Sequence, residues 1–208
     1  MNFKKIGLML VALIVTLGLA GCSVAQLPEG DVKVVKQDVS GIISLLLESV
    51  GYGQDQSTVA SMLLPTGFQY DVTMHIEQYE NGELVNTISL PPYTTEILEK
   101  NSIIHMILNV GKGDVKSIYS LAEVDKEQTI NEKNPEYKVT KKNESPFDFD
   151  ARTEIVQYGG TLGQDVVLAG YVKYKDGGTK EGIELIAYKD QVANYAAANI
   201  VKVQIVQK

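Results

Sequence analysis

The sequence predicts a mainly β protein, an antiparallel β-sandwich or partly open barrel of about eight strands with one or two short N-terminal helices. From Phe68 onward, apolar residues recur at every second position, which is the period of a strand with one buried face. Turn-forming residues interrupt this pattern about every ten residues, as in consecutive hairpins of an all-β fold. Residues 31–64 instead have a helical period, which predicts the short helices of the N-terminal part.

Residues 31–64 carry apolar side chains at steps of three and four, which predicts one helical stripe: Val32, Val35, Val39, Ile42, Leu46 and Val50. Ser40 is a candidate N-cap of this helix, and Gly51 is a candidate end. The β-branched residues leave a strand open for the first part of the segment. A second short helix is expected from Ser57 to Leu64, where Pro65 ends it.

The first predicted hairpin turns at Glu80-Asn81-Gly82. A two-residue turn at Asn81-Gly82 would place the apolar sides of the two strands on opposite faces of the sheet. A three-residue loop instead pairs Val72 with Leu90 and Met74 with Ile88, which gives one apolar and one polar face. The sequence therefore predicts a type I turn followed by a left-handed Gly82 in a bulge.

The second predicted hairpin joins Ile103–Val110 to Val115–Val124 through the loop Gly111–Asp114. The first of these strands is nearly continuous in apolar residues, which is typical of a strand covered on both faces. One register satisfies both faces of the hairpin. It pairs Ile104 with Leu121, Met106 with Tyr119, Val110 with Val115, Ile107 with Ile118 and His105 with Ser120.

Residues 125–151 are polar and charged, and a short strand at Tyr137–Lys141 interrupts them. Long loops on rigid sheets often carry function, although a solvated excursion explains the composition equally simply. Strands resume at Thr153–Tyr158, Asp165–Lys175, Gly182–Tyr188 and Asn199–Gln207. The turn Lys175–Gly178 is expected to join the middle pair, and Asp190–Ala198 is expected to form one or two helical turns.

The N-terminal segment has the three parts of an export signal. Lys4 and Lys5 precede the uncharged, largely apolar stretch Ile6–Ala20, whose 15 residues fall short of the roughly 20 that a membrane span needs. The stretch ends in Leu19-Ala20-Gly21-Cys22, which resembles the lipobox of a bacterial lipoprotein signal peptide. The resemblance implies cleavage before Cys22, a diacylglyceryl group on its sulfur, and a chain anchored outside the cytoplasmic membrane.

This resemblance divides the chain into a cleaved signal peptide over residues 1–21, a lipidated tether over 22–30 and one β-rich extracytoplasmic domain over 31–208. An uncleaved membrane anchor is the alternative, and it places the domain on the same side. The Lys-rich, Arg-poor composition favours a Gram-positive cell. In a Gram-negative cell, Ser23 would allow export to the outer membrane, with the domain on the periplasmic side or at that membrane.

Composition narrows the chemistry of the mature chain. Removal of residues 1–21 leaves 187 residues and changes the formal net charge from −7 to −9. Such an acidic chain repels nucleic acid and anionic lipid headgroups, so neither is an expected partner surface. Cys22 is the only cysteine, which excludes disulfides, thiol catalysis and cysteine metal ligands from the domain.

The two histidines do not predict a catalytic or metal site. His75 and His105 fall in different hairpins, and two histidines cannot supply the three or four ligands of a zinc site. Gly111-Lys112-Gly113 lacks the spacing of a phosphate-binding loop and is expected to be a turn. We therefore predict no catalytic residue, no metal ligand and no cofactor.

Two further features have a functional and a structural interpretation. Asp148 and Asp150 offer oxygens to Ca²⁺, with help from Glu144 or Asp165, but the spacing lacks the remaining ligands of an EF-hand and favours a surface acidic loop. Tyr171 and Tyr174 face opposite sides of one strand. One ring could stack on a sugar or a peptide, although tyrosines of a tryptophan-free chain are also typical of packing at the sheet surface.

The functional prediction is a lipid-anchored domain that binds an envelope protein or a cell-wall component. An envelope hydrolase that uses carboxylates of the 125–151 region is one alternative, and a structural subunit of a surface assembly is another. Carboxylates with raised pKa in a pocket would favour the enzyme. A flat apolar patch of several hundred Å² on the sheet would favour binding, and exposed sheet edges that pair with another chain would favour assembly.

Overall fold

The fold is an antiparallel β-sandwich, which confirms the predicted class and decides against a barrel. The computed structural model describes residues 28–38, 42–49, 56–99, 102–111, 113–124, 130–132, 137–143 and 147–208. The expectations for the signal peptide, Cys22, Ser40, Gly51 and Glu144 lie outside these residues. Thirteen strands form the described part, against the eight or so predicted, because several short strands extend the two sheets.

The first sheet, sheet A, contains seven strands: β1 (Val32–Lys36), β2 (Ser57–Leu63), β6 (Ser102–Val110), β7 (Asp114–Val124), β8 (Ile130–Glu132), β9 (Tyr137–Lys142) and β11 (Gln157–Gly160). They are ordered β11-β1-β2-β6-β7-β8, and β9 pairs with the same strand as β8, namely β7. The predicted short strand at Tyr137–Lys141 is thereby confirmed as β9, while β8 was not predicted.

The second sheet, sheet B, contains six strands: β3 (Tyr70–Glu80), β4 (Glu83–Ser89), β5 (Tyr93–Thr94), β10 (Ala151–Glu154), β12 (Asp165–Tyr174) and β13 (Tyr195–Gln207). They are ordered β10-β12-β13-β3-β4, and β5 pairs with β3. The longest strand, β13, therefore lies at the centre of this sheet, paired along almost its whole length with β12 and β3.

The main core lies between the two sheets and is built by strand alternation. Every second residue of β3 is buried, and so is every second residue through most of β6. The largest fully buried side chains come from both sheets: Met62, Ile104, Met106, Leu108 and Tyr119 from sheet A, and Tyr70, Met74, Ile76, Leu168 and Tyr171 from sheet B. No disulfide can assist this packing within the described residues, because the only cysteine is Cys22.

A second, smaller core covers part of the outer face of sheet B. Residues 179–194, here called the covering segment, place Ile183, Tyr188 and Val192 against buried residues of β12 and β13 such as Val172 and Ile200. The segment contains the short helix Tyr188–Gln191 and one 3₁₀ turn, Val192–Asn194. The predicted strand Gly182–Tyr188 is therefore wrong: its apolar residues pack onto a sheet instead of joining one.

The N-terminal helices were half correctly predicted. Ile42–Ser49 is a helix, but the start of the same stripe is β1, and Ser57–Leu64 is not a helix. The strand Ser57–Leu63 hydrogen-bonds on one side to β1 and on the other to β6. Because both of its edges are paired, tertiary context outweighs the local period. Among the described residues, the helices are all too short or too polar to span a membrane.

The first hairpin has the expected shared apolar face, but a two-residue turn and a β-bulge produce it in place of the predicted three-residue loop. Asn81 and Gly82 both have positive φ, as in a two-residue type I′ turn, so the predicted three-residue loop is wrong. A register shift follows in β4, between the pairs made by Gln78 and Tyr79, and it brings Ile88 opposite Ile76. The bulge restores the shared apolar face that a simple two-residue turn would have lost.

The second hairpin has the predicted register at every predicted pair, from Ile104 opposite Leu121 to Val110 opposite Val115. Further along the chain, Asp165–Tyr174 confirms a predicted strand, whereas the region predicted as Thr153–Tyr158 divides into β10 and β11 in different sheets. The last strand begins at Tyr195, four residues before the predicted start, because only the residues up to Asn194 form the expected helical turns.

Candidate functional site

Lys202 is the most unusual side chain of the outer face of sheet B. It interrupts an apolar run on β13, where Val201 and Val203 point into the main core, so alternation turns Lys202 outward. Even so, only 6% of the residue is exposed. A lysine that is removed from water in this way needs charged partners close to its ammonium group.

Two carboxylates from neighbouring strands provide these partners. Nζ of Lys202 lies 2.6 Å from Oε1 of Glu77 on β3 and 2.7 Å from Oδ2 of Asp165 on β12. The second oxygen of Asp165 lies 3.3 Å from Nε2 of His75, which is directly opposite Lys202 in the β3–β13 ladder. Three adjacent strands therefore hold one ammonium group between two carboxylates.

Two tyrosines hydrogen-bond to the second carboxylate oxygen of Glu77. The hydroxyl groups of Tyr79 and Tyr188 each donate a hydrogen bond of 2.9 Å to Oε2 of Glu77. The two rings contact each other edge to face, with centroids 6.3 Å apart. Because Tyr188 belongs to the covering segment, this carboxylate connects that segment to the sheet. We call His75, Glu77, Tyr79, Asp165, Tyr188 and Lys202 the Lys202 cluster.

The cluster keeps Glu77, Asp165 and Lys202 ionised. Burial alone would raise the pKa of Glu77, but hydrogen bonds from Lys202 and the tyrosines outweigh it and lower that pKa. Burial opposes ionisation of Asp165 as well, and Lys202 and His75 lower its pKa. For Lys202, the two carboxylates outweigh burial and raise the pKa. Burial and the bond to Glu77 raise the pKa of the Tyr188 hydroxyl, so it stays protonated.

This arrangement is suited to holding groups in place. A general acid of a hydrolase is a carboxyl group whose pKa is raised towards neutrality, and both carboxyls here have the opposite shift. The ammonium group occupies the position between the carboxylates that a cation would take. Among the residues described in the structure, no group of three or more His, Cys, Asp or Glu side chains could hold a metal ion.

Comparisons of the chain with protein-family models, with curated proteins and with solved structures found no match. The interpretation of the site therefore depends on its geometry.

The second histidine, His105, lies opposite Ser120 in a different hairpin, as predicted, and this hairpin belongs to the other sheet. Nδ1 of His105 is 2.9 Å from Oγ of Ser61 on the outer face of sheet A. Burial lowers the pKa of His105, and its buried Nε2 has no hydrogen-bond partner among the described residues. A Ser–His pair is part of many nucleophilic sites, but those sites orient the far nitrogen of the ring with a third group. That third group is missing at the Nε2 of His105.

The residues considered for Ca²⁺ do not come together. Asp150 lies at the start of β10, where Oδ2 accepts a hydrogen bond from the backbone N–H of Tyr174. Asp165 is at the opposite end of β12, about 25–30 Å from Tyr174 for a strand of this length. Asp165 instead belongs to the Lys202 cluster, and Glu144 lies outside the described residues. The proposed contribution of Asp165 to a Ca²⁺ site is therefore wrong.

The two tyrosines of β12 have different environments, as strand alternation predicts. Tyr171 is fully buried, and its hydroxyl lies 3.2 Å from that of Thr58 across the sandwich. It cannot stack on a sugar or peptide. Tyr174 is half-buried and donates to the carbonyl of Lys180 in the covering segment. These rings support the structure, the simpler of the two interpretations.

The Lys202 cluster was not predicted from the sequence. Its members lie on β3, β12, β13 and the helix of the covering segment, separated by up to 127 positions between His75 and Lys202. One local signal was present: a lysine at an outward position of a strand whose other residues are mostly apolar. An ionisable residue in such a position indicates a buried partner of opposite charge.

Proposed function

We propose that the protein is a lipid-anchored extracytoplasmic domain that binds an envelope protein or a cell-wall component. The observation that carries this proposal is a polar face on which the side chains of His75, Asp165 and Gln204 are already held by hydrogen bonds. Around the Lys202 cluster, the outer face of sheet B presents Thr73, His75, Thr87, Asp165 and Gln204. We call these five residues the polar face.

Fixed side chains favour binding because association then orders few groups. The Lys202 cluster holds His75 and Asp165, and the amide of Gln204 donates to the carbonyl of Gly163. Each rotamer-rich side chain that a partner must immobilise costs about 0.5–1.5 kcal/mol, and much of this cost is absent here. The polar face therefore suits a partner rich in hydroxyl and amide groups, as cell-wall polymers and protein surfaces are.

At the Lys202 cluster, the lowered pKa values of Glu77 and Asp165 favour binding over a hydrolase that would use these two carboxyl groups. Such an enzyme would have to release a proton from one carboxyl group, and Lys202 stabilises the ionised form of both. The anchor adds to the binding interpretation. A tethered domain meets its neighbours at a high effective concentration, so a weak surface is sufficient.

A photocrosslinking pair tests the proposal on intact cells. A photoreactive amino acid is placed at Thr87, an exposed residue of the polar face, or at Thr140, an exposed residue of β9 in the other sheet. We expect discrete adducts from Thr87 and none from Thr140. The substitution His75→Ala should weaken the Thr87 adducts, because it removes a fixed polar group from that face.

Two results would contradict the proposal. Equal labelling from Thr87 and Thr140 would mean that the polar face has no special partner. Absence of adducts at both positions, together with cleavage of a wall polymer by the purified protein, would favour the hydrolase.

A further inference from the structure

One end of the sandwich is where the described chain begins. Val32 of β1 lies opposite Gly160 of β11, and the turn that follows reaches sheet B, where the N–H of Gly163 donates to the carbonyl of Ile205. The start of β3 is at the same end, because Tyr70 lies opposite Gln207. We call this end, with the Pro28–Val32 segment that arrives there, the entry end.

Two large apolar side chains are exposed at the entry end, on segments that are hydrogen-bonded to each other. Phe68, just before β3, is 42% exposed, and Ile97, after β5, is 61% exposed. Their segments run together through two backbone hydrogen bonds, from Gly67 N–H to Leu98 O at 2.7 Å and from Leu98 N–H to Phe68 O at 2.9 Å. The fold thus holds these two residues close together, with Leu98 buried between their backbones and the core.

The proposed lipid anchor would be close to this pair. Five residues lie between Cys22 and Pro28, and the six steps from one to the other span at most about 20 Å. The entry end, more than any other part of the domain, is therefore confined near the membrane surface. A membrane that is always within reach needs only a weak apolar contact to be occupied.

We propose that the entry end rests on the lipid surface and that Phe68 and Ile97 insert into its interfacial layer. This inference depends on the proposed lipid anchor and adds the orientation of the domain. The turn between β3 and β4 is directed away from the membrane. Apolar side chains beside a lipid chain are a known combination for stable, oriented attachment.

The neighbouring charges specify the kind of lipid surface. Glu96 and Glu99 are exposed on either side of Ile97 and Leu98, and the nearby Lys208 is paired with Asp71, with Nζ and Oδ2 2.9 Å apart. Attraction to anionic headgroups is therefore not the basis of the contact. A zwitterionic phosphatidylcholine bilayer accepts the apolar pair without repelling the carboxylates.

The chain contains no tryptophan, which permits a direct test. Lipidated protein carrying Phe68→Trp, Ile97→Trp or Leu84→Trp is reconstituted into phosphatidylcholine vesicles with and without brominated acyl chains. Leu84 is the matched control: it is 53% exposed and lies opposite Tyr79, nine residues along β3 from the entry end, which is about 30 Å. We expect bromine to quench emission at positions 68 and 97 by at least twofold and to leave position 84 unchanged.

The possible outcomes separate the inference from the anchor on which it depends. Mass spectrometry and vesicle flotation first establish whether the protein is lipidated and membrane-bound. If it is, and Phe68→Trp emits as in water without quenching, the inference is wrong while the anchor stands. If flotation fails, the anchor itself is wrong. A blue shift that grows with protein density, without bromine quenching, would indicate contact between copies and would also overturn the inference.

Discussion

At the scale of single residues, Lys202 holds together the charged groups on the outer face of sheet B. It is nearly buried and lies between two carboxylates whose remaining oxygens are also hydrogen-bonded. Removing one member of a buried ion pair leaves the other charge uncompensated, and this loss exceeds the net contribution of the pair itself. Lys202 therefore matters mainly because Glu77 and Asp165 have been folded around it.

We expect Lys202→Met to destabilise the protein by about 3 kcal/mol, near the lower limit for a buried pair because Asp165 is partly exposed. Lys208→Met is the matched control, since it removes an exposed lysine whose single ion pair is worth less than about 1 kcal/mol. Urea unfolding followed by circular dichroism measures both. Equal losses would mean that the cluster acts as an ordinary surface ion pair.

His105 should make stability depend on pH near neutrality. Burial lowers its folded-state pKa, whereas the unfolded chain binds a proton near pH 6.5. The neutral ring therefore stabilises the fold above pH 6.5, and this contribution is lost as the pH falls from there towards the lowered folded-state pKa. The free-energy advantage of wild type over His105→Gln should shrink between pH 7 and about pH 5. A constant difference over that interval would contradict the assignment.

At the scale of elements, the turn between β3 and β4 is closely packed as well as tight. Gly82 has a φ of +94°, and a Cβ atom there would lie 2.9 Å from Cα of Ala193 in the covering segment. Gly177 has a similar φ of +72°, with open space around it. The two glycines thus separate the cost of a left-handed backbone from the cost of a clash.

We expect Gly177→Ala to cost about 1–2 kcal/mol from backbone strain alone. Gly82→Ala should cost about 1 kcal/mol more, because Ala193 must also move. Thermal and urea unfolding of the two variants give the comparison. If Gly82→Ala is no worse than Gly177→Ala, the covering segment does not press on this turn.

The strands and turns also show how much of the fold could be predicted from the sequence. The β6–β7 register was predictable because both faces of each strand constrain it, so a slip would misplace Ile107 as well as Met106. The strand Ser57–Leu63 could not be predicted, because buried residues on both of its faces obscure the two-residue period. Its neighbour β1 comes from more than twenty residues earlier. No local sequence pattern predicts the bulge in β4. The contact of Glu77 and Asp165 with Lys202 could not be predicted either, because it depends on the order of the strands in the sheet.

At the scale of the whole molecule, the sandwich is held together across its open sides by polar side chains. Lys36 of sheet A lies 2.9 Å from Glu154 of sheet B, and Arg152 donates to the carbonyl of Ser57. On another side, the amide of Gln78 donates to Asn143, which follows β9. With no disulfide within the described residues, these connections and the packed core keep the two sheets aligned.

The anchor is a prediction for the whole chain. Cys22→Ala should abolish metabolic palmitate labelling and leave an unprocessed precursor, because Cys22 is the only cysteine that could carry the lipid. Ser23→Ala serves as the control and should be labelled like wild type. Palmitate labelling that survives Cys22→Ala would show that the resemblance to a lipoprotein signal is misleading.

The position of β1 within sheet A has a mechanical consequence. It is not an edge strand: β2 and β11 hydrogen-bond to its two sides, and the chain leaves its first residue at the entry end. A pull on an N-terminal tether directed along the strand therefore loads both ladders in shear, so that many hydrogen bonds resist together. A domain held at this strand would withstand the drag of a partner bound at its far side better than one held at an edge strand, where a single ladder carries the same load.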